Sequence, residues 1–432
     1  MIFVFYLFAA VLTFMSWKSL RGGIDYLNFF KKELSRPKSE FTPFVSIIAP
    51  CRGLDEDLEE NLSALFRQDF PAYEILFVVD DENDEAVSVI RKLIHRRDAE
   101  TQREDLEKDK ANNKIIQKNS VSLRLCGENS VSAKLIIAGK ATESAQKIEN
   151  LRESVLHVSD ESMILVFVDS DARPSENWLR SLIAPLQDAG IGAASAYRWF
   201  ISKNFSFASE LRAAWNASIA SALGENLKNN FCWGGSTAIR RETFEKLGMR
   251  ERWRGVLSDD FAVTRAMKEA GLSIYFVPQA FVATVENCTF RALLEFTTRQ
   301  MKITRVYAPN LWKQAFIGSF IFNSVFVAGI FILAFGAINE LSFWFSLISL
   351  ILISVFSTGK AWLRLNAVKL VLKDYESDLK KQFWAQNTLW IFTPALFFYN
   401  SFRALLSRKI VWRGIRYKLI SPNQTAVISK DD

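Results

Sequence analysis

Apolar residues fall into three regimes along the chain. At the start, Ile2–Trp17 are apolar or nearly so, and Lys18, Arg21, Lys31, Lys32, Arg36 and Lys38 come next. With no charged side chain before it and no small-residue cleavage site after it, this run predicts an uncleaved membrane anchor over residues 1–20. The basic flank places the succeeding part of the chain on the cytoplasmic side. Between Thr42 and Asn310, apolar runs of strand length alternate with helical periods. That alternation predicts an α/β domain with a largely parallel sheet over residues 40–310. Val45–Ala49, Glu74–Val79 and Met163–Val168 read as strands, and Leu58, Leu62, Leu65 and Phe66 recur at helical spacing between the first two, which makes a βαβ unit.

The third regime is apolar again. Ala315–Ile338 runs for 24 residues without a charge, Asn339-Glu340 makes a turn, and Leu341–Ser357 returns. At 1.5 Å per residue the first run spans a hydrocarbon core of about 30 Å, so residues 315–357 read as a transmembrane hairpin. In the last segment, 358–432, Gln386–Leu406 is interrupted by Pro394 and Asn400 and precedes a basic tail. A crossing would put that tail outside, against the charge rule, so a re-entrant or interfacial helix is the preferred reading over a third C-terminal crossing.

Composition sharpens this division. The 432 residues are 49% hydrophobic and 23% charged, too apolar for an ordinary soluble enzyme and too charged for a fully embedded transporter. From Arg299 onward there are 17 Lys/Arg against 6 Asp/Glu, a net +11, while residues 1–298 hold 37 against 41, a net −4. The overall +7 therefore belongs to the apolar end and does not point to nucleic acid. Cys51, Cys126, Cys232 and Cys288 form no CxxC pair, and His95 and His157 stand beside no partner for a triad or a zinc site. Carboxylates must carry the acid–base and metal chemistry.

Ligands of parallel α/β sheets bind beyond the carboxyl ends of the strands. The residues there are Pro50-Cys51-Arg52, Asp80-Asp81 and Asp169-Ser170-Asp171. No GxGxxG or GxxxxGK[ST] is present, which removes the main support for a dinucleotide site or a P-loop. In an extended segment Asp169 and Asp171 face one side, roughly 6.5–7 Å apart. Both then address one magnesium or manganese ion, whose shell substrate phosphates usually complete. Asp80, at a strand tip, suits a nucleobase or ribose, whereas Asp84 reads as a helix cap. Asp259-Asp260 opens a helix over Phe261–Ala270; adjacent acids repel, which raises one pKa and suits a general base. Of Trp199, Trp215, Trp233 and Trp253, each is more readily a core residue. Trp233 beside Gly234-Gly235 is the best ligand-facing ring. The charged stretch His95–Lys118 reads as a solvated loop or helix; Trp412-Arg413-Gly414 reads first as a headgroup-level anchor, with a fold back to the mouth of the site as the second reading.

Asp80 after its apolar strand, the DxD at 169–171, Gly-Gly-Ser at 234–236 leading into Ala238-Ile239-Arg240-Arg241, and Asp259-Asp260 occur in an order that resembles glycosyltransferase family 2. With the single N-terminal anchor and the C-terminal membrane helices, the chain is most similar to the ceramide glucosyltransferase-like group, hopanoid-type lipid glycosyltransferases included. Gln146-Lys147-Ile148-Glu149-Asn150-Leu151 is similar to that group's Lys-Ile-Asn-Asn-Leu segment. The resemblance implies a GT-A nucleotide-sugar-binding domain and a divalent metal at Asp169 and Asp171. It implies donor contacts at Pro50, Arg52, Asp80, Lys147, Asp169, Gly234, Gly235, Arg299 and Lys302, an acceptor contact at Trp233, and Asp260 as base with Asp259 as substitute. The group's fourth motif, Gln or Arg, two residues, then Arg-Trp, appears as Arg299-Gln300-Met301-Lys302-Ile303, with Lys for Arg and Ile for Trp. Arg305, on the same face as Lys302, is a candidate to restore the guanidinium. The implied function is inverting transfer of a sugar, UDP-linked, to the hydroxyl of a ceramide, hopanoid or diacylglycerol. A processive polysaccharide synthase and an inactive membrane scaffold remain as alternatives.

Overall fold

The computed structural model describes residues 2–97, 99 and 130–430; most of the charged stretch His95–Lys118 lies outside them. The expected strands form at β1 (Val45–Pro50), β2 (Ala72–Val79) and β4 (Ile164–Val168), with β3 (Ser130–Ile137) between the last two in sequence. The sheet continues with β5 (Ile191–Ser195), β7 (Ser236–Arg240) and β8 (Ser273–Phe276) in the order β3-β2-β1-β4-β7-β5-β8. β6 (Arg198–Ile201) and β9 (Val282–Val285) form a separate parallel pair. Pairing in the large sheet is parallel except at β7, which runs antiparallel to β4 and β5. The strands read as continuous apolar runs because both faces are buried. Ile47 and Ala49 enter one core, Ile48 the other; Ile75, Phe77 and Val79 oppose Leu76 and Val78 in the same way.

Helices cover the sheet: α2 (Leu58–Phe66) on the expected apolar period, residues 85–97, α3 (Gln146–Ser154), α4 (Trp178–Ile183), α5 (Phe207–Ala220) and α6 (Asp259–Glu269). Asp84 caps the helix at 85–97 as expected, accepting from the Ala86 amide at 2.8 Å.

The N-terminal helix, α1 (Ile2–Leu34), does not end near residue 20 but continues into the sheet domain. Tyr26, Phe29 and Phe30 are buried there, and the Phe30 ring lies 6.1 Å from those of Phe276 and Phe281. After Lys18 and Arg21 the apolar positions recur at helical spacing, so the same helix changes from a lipid-length run to an amphipathic one. Anchor and domain share a core.

The C-terminal helices are α7 (Phe290–Tyr307), α8 (Pro309–Phe335), α9 (Leu341–Lys369), α10 (Phe383–Thr388) and α11 (Thr393–Leu406). Among the described residues α1, α8 and α9 are long and apolar enough to cross a membrane. They expose Phe3, Leu7, Val327, Phe331, Ile351 and Val355 to their surroundings. α1 and α9 run side by side in one direction: the Tyr6 and Phe345 rings are 4.7 Å apart, and a Cβ at Gly23 would lie 3.2 Å from Lys360 Cγ. The basic ends of both helices therefore meet the α/β domain. The 14 residues of α11 reach about 21 Å, short of a ~30 Å core. Pro394 sits in its first turn and buried Asn400 accepts from the Thr298 hydroxyl at 2.8 Å. The chain then forms a three-stranded antiparallel sheet, β10 (Lys409–Trp412), β11 (Ile415–Ser421) and β12 (Gln424–Lys430), packed against α7 and the α/β domain.

Candidate active site

The carboxyl ends of β1 and β4, the start of β7, the N-termini of α3 and α6, and α7 surround a cavity of about 1030 Å³. One end is polar, lined by Arg52, Lys147, Asp169, Asp171, Arg198 and Asp260; the other is apolar, lined by Trp215, Ile219, Phe296, Leu311, Ala315 and Phe397 from α5, α7, α8 and α11.

Lys147 organises the polar end. Its ammonium lies 2.7 Å from Asp169 Oδ1 and 3.2 Å from Asp259 Oδ2. Burial works against the Lys147 charge, but Asp169, Asp259 and Asp260 outweigh it and hold its pKa above the usual lysine range. Burial likewise works against charge on Asp169, and there Lys147 and Arg198 prevail, keeping its carboxyl below the usual range. Asp259 goes the other way. Burial, with the charges of Asp260 and Asp169 adding, pushes it up to about 6 despite Lys147.

The two glycines permit this packing. A Cβ at Gly234 would stand 2.1 Å from Asp259 Oδ2, and one at Gly235 would stand 2.3 Å from the Trp233 ring and 2.8 Å from Asp169 Oδ2. The Trp233 ring lines the cavity, with the Tyr197 ring tilted against it at 5.4 Å and the Arg198 guanidinium over it at 5.2 Å. Trp199 and Trp253 are core residues, while Trp215 reaches the apolar arm of the cavity.

Asp171 accepts from Arg198 Nη1 at 2.8 Å through one oxygen; the other, Oδ1, is buried without a partner among the described residues. Burial pushes its carboxyl up to about 6 against the pull of Arg198. An orphaned oxygen beside a second carboxylate fits a divalent cation. Among the described residues no group of three or more His, Cys, Asp or Glu is placed to hold a metal. Asp169 and Asp171 are the two carboxylates at this position, and each already accepts from a cation, Lys147 and Arg198.

At the start of α6 the two adjacent acids differ. Asp259 is buried on Lys147, while Asp260 is half-buried at the cavity wall. The Ser258 hydroxyl and the Phe261 amide donate to Asp260 Oδ1, which leaves Oδ2 for a ligand.

Other expected residues are placed less directly. Pro50 and Arg52 line the cavity, but Asp80 stands behind Arg52, which donates to it. Arg299 points into the site, its guanidinium 5.5 Å from the Phe296 ring and 5.6 Å from that of Trp412, with no hydrogen bond or ion pair among the described residues. Burial, together with Arg198 and Arg413, pushes its pKa down to about 10. Lys302 corrects the expectation: it is turned away, donating to the Lys409 carbonyl at 2.6 Å, because its place on α7 faces β10. Arg305 does not substitute for it, since its guanidinium donates to the Ala404 and Leu405 carbonyls at the end of α11.

For Trp412-Arg413-Gly414 the preferred reading as a headgroup anchor gives way to the second one, a fold back to the site. These residues sit on the turn between β10 and β11, and Trp412, Arg413 and Tyr417 line the cavity. Arg413 pairs with Asp55, and the Ser170 hydroxyl donates to the same carboxylate. Arg198, Asp55 and Tyr417 join the site without having been expected there. A lone Arg in the apolar stretch Ala193–Ile201 is a usable signal for Arg198, but nothing local marks the contacts made by the distant C-terminal strands.

The model of glycosyl transferase family 21 matches residues 1–117 and 129–425. The chain is 32% identical over 75 residues to a ceramide glucosyltransferase of Komagataella phaffii, a stretch covering 17% of this chain and 15% of that protein. It is 41% identical over 54 residues to ceramide glucosyltransferase 1 of Caenorhabditis elegans, covering 12% of each. These matches therefore span only a small part of the relatives' length. A solved mannosyltransferase of Pyrobaculum calidifontis in complex with GDP-Man and Mn2+ aligns over 91% of this chain and 99% of its own at 17% identity, with a TM-score of 0.42, too distant a likeness to build on. The family match covers nearly the whole length, from the N-terminal anchor through the acidic site to the C-terminal strands, and the chain belongs to glycosyl transferase family 21.

Proposed function

We propose that this protein is a membrane-bound inverting glycosyltransferase that moves a sugar from a nucleoside diphosphate sugar, UDP-linked, to the hydroxyl of a membrane lipid of the ceramide, hopanoid or diacylglycerol type. The observation that carries the reading is the single cavity with two characters. Its buried acidic and basic end suits a water-soluble, anionic donor, and its apolar arm between α5, α7, α8 and α11 suits the body of a lipid. Ceramide glucosyltransferases among its relatives agree with a lipid acceptor. The basic ends of α1 and α9 favour a cytoplasmic α/β domain.

In this reaction the acceptor oxygen forms a bond to the anomeric carbon while the bond from that carbon to the diphosphate oxygen breaks. The nucleoside diphosphate leaves with the electron pair, and the acceptor proton passes to Asp260 Oδ2. Asp259 is the weaker candidate for base because Lys147 occupies its carboxylate. Asp169 and Asp171 would hold manganese or magnesium, which supplies positive charge to the diphosphate. Lys147 keeps Asp169 ionised and its neighbours in register, and Arg299 presents unpaired donors to the departing phosphates. Trp233 offers an apolar face to the sugar or acceptor head, held by Arg198.

Calorimetry with UDP and manganese, paired with a transfer assay, tests this assignment. Asp260→Asn should bind UDP as the unaltered protein does and lose transfer; retention of full transfer would remove Asp260 from the role.

A further inference from the structure

The β10–β11 turn puts an arginine where a turn normally avoids one. Arg413 has φ 51° and Gly414 φ 76°, the pair of positive angles of a two-residue type I′ hairpin. Glycine adopts such an angle freely, and asparagine or aspartate with modest cost; arginine does not. A strained residue of this kind persists only where its surroundings hold it, and such positions cluster at ligand clamps. Here the hold is specific. Arg52 Nε donates to the Arg413 carbonyl at 3.1 Å, Arg413 Nη1 returns a bond to the Arg52 carbonyl at 3.2 Å, and Arg413 Nη2 pairs with Asp55. Asp55 also accepts from Ser170, the middle residue of the DxD segment. On the far side of the hairpin, the Tyr417 hydroxyl accepts from the Gln146 amide at 3.1 Å, one residue before Lys147.

The C-terminal hairpin is thus clasped to the end of β1 and to the N-terminus of α3, and it closes the polar end of the cavity. Arg413, Arg299 and Arg198 meet there. Arg198 is matched by Asp171 and Arg413 by Asp55, whereas Arg299 has no carboxylate partner among the described residues. Of these three arginines Arg299 alone lacks an ion-pair partner among the described residues, and Lys302, the cation expected beside it, is turned away.

We propose that Arg413 is a donor-binding residue: the C-terminal hairpin carries it over the nucleotide end of the cavity, where its free N–H groups bind the phosphates of a nucleoside diphosphate beside Arg299. The assignment rests on the polar end of the cavity being the donor site. It makes the C-terminal strands part of that site, and it makes Asp55 the link that sets the hairpin against the metal-binding segment.

The test is calorimetric binding of UDP, with manganese, to the full-length protein in detergent or lipid nanodiscs. Arg413→Gly and Arg413→Asn both accept the turn conformation, so either removes the guanidinium without opposing the hairpin, and thermal unfolding establishes that each is folded. Both should weaken UDP binding by roughly ten- to hundred-fold, the size of a lost charge-assisted contact. Arg413→Lys should recover part of it, and affinity for uridine, which has no phosphate, should not change. UDP binding at unaltered strength in a folded Arg413→Gly or Arg413→Asn protein overturns the role of Arg413 while leaving the donor reading in place. Failure of the unaltered protein to bind either UDP or GDP overturns the donor reading and the assignment with it.

Discussion

Lys147 Nζ stands 3.2 Å from Asp259 Oδ2 in a setting from which solvent is largely excluded. With its 2.7 Å contact to Asp169, this one ammonium joins the DxD segment after β4 to the start of α6, where Asp259 and Asp260 lie. Removing it strands the buried Asp259 and the partly exposed Asp169. Lys147→Met should therefore destabilise the protein by about 3–5 kcal/mol, the usual cost of breaking a buried ion pair from one side. A thermal or chemical unfolding curve within about 1 kcal/mol of the unaltered protein's would show that Lys147 does not hold the site together.

Asp259 makes stability depend on pH in a direction unusual for a carboxylate. Its folded pKa, about 6, is above the ordinary value of 3.8. The contribution it makes to stability is then fully present below pH ~4 and is lost as pH rises through about 6. Asp259→Asn does not titrate, so its stability relative to the unaltered protein should be higher at pH ~7.5 than at pH ~5, with an expected swing of roughly 1 kcal/mol. An equal offset at the two pH values would mean that Asp259 ionises normally.

Gly234 has no room for a methyl group, since its Cβ would fall 2.1 Å from Asp259 Oδ2. Gly234→Ala must displace Asp259 or the β7 entry, and overpacking of this kind costs about 1–3 kcal/mol. It should also lower transfer activity far more than Gly224→Ala, where a Cβ would meet nothing within 4 Å. Equal activities in the two variants would contradict the close packing around Lys147.

Arg299 and Lys302 should separate cleanly. Arg299→Ala removes an unpaired guanidinium from the cavity and should weaken donor binding by roughly ten-fold or more. Lys302→Ala loses only a bond to the Lys409 carbonyl and should leave donor affinity within about two-fold. The reverse ranking in a UDP titration would restore Lys302 to the site.

What is legible in the sequence is local. β1, β2 and β4 stand out because burial on both faces makes them continuous apolar runs, and the residues at their ends, with Asp259-Asp260 at the start of a helix, follow from that placement alone. β3 escapes notice because it comes after a long polar stretch and carries Lys134 and two serines in eight residues. Lys302 is misplaced because helical spacing predicts which residues share a face, not which neighbour that face meets. α7 is crowded by α11 and β10, and Lys302 and Arg305 are consumed by their carbonyls. The return of the Arg413 segment to the site is available from the sequence only as a second reading, because its contacts with Arg52 and Asp55 join residues separated by 361 and 358 positions of chain.

The most direct measurement is mass spectrometry of lipids after incubating the purified protein, reconstituted in vesicles holding ceramide, diacylglycerol or a hopanoid, with UDP- or GDP-linked sugars and manganese. The unaltered protein should yield a lipid carrying a single added hexose, and Asp260→Asn should yield none while still binding the donor. No glycosylated lipid from the unaltered protein under any pairing, or equal product from Asp260→Asn, would contradict lipid glycosylation at this cavity.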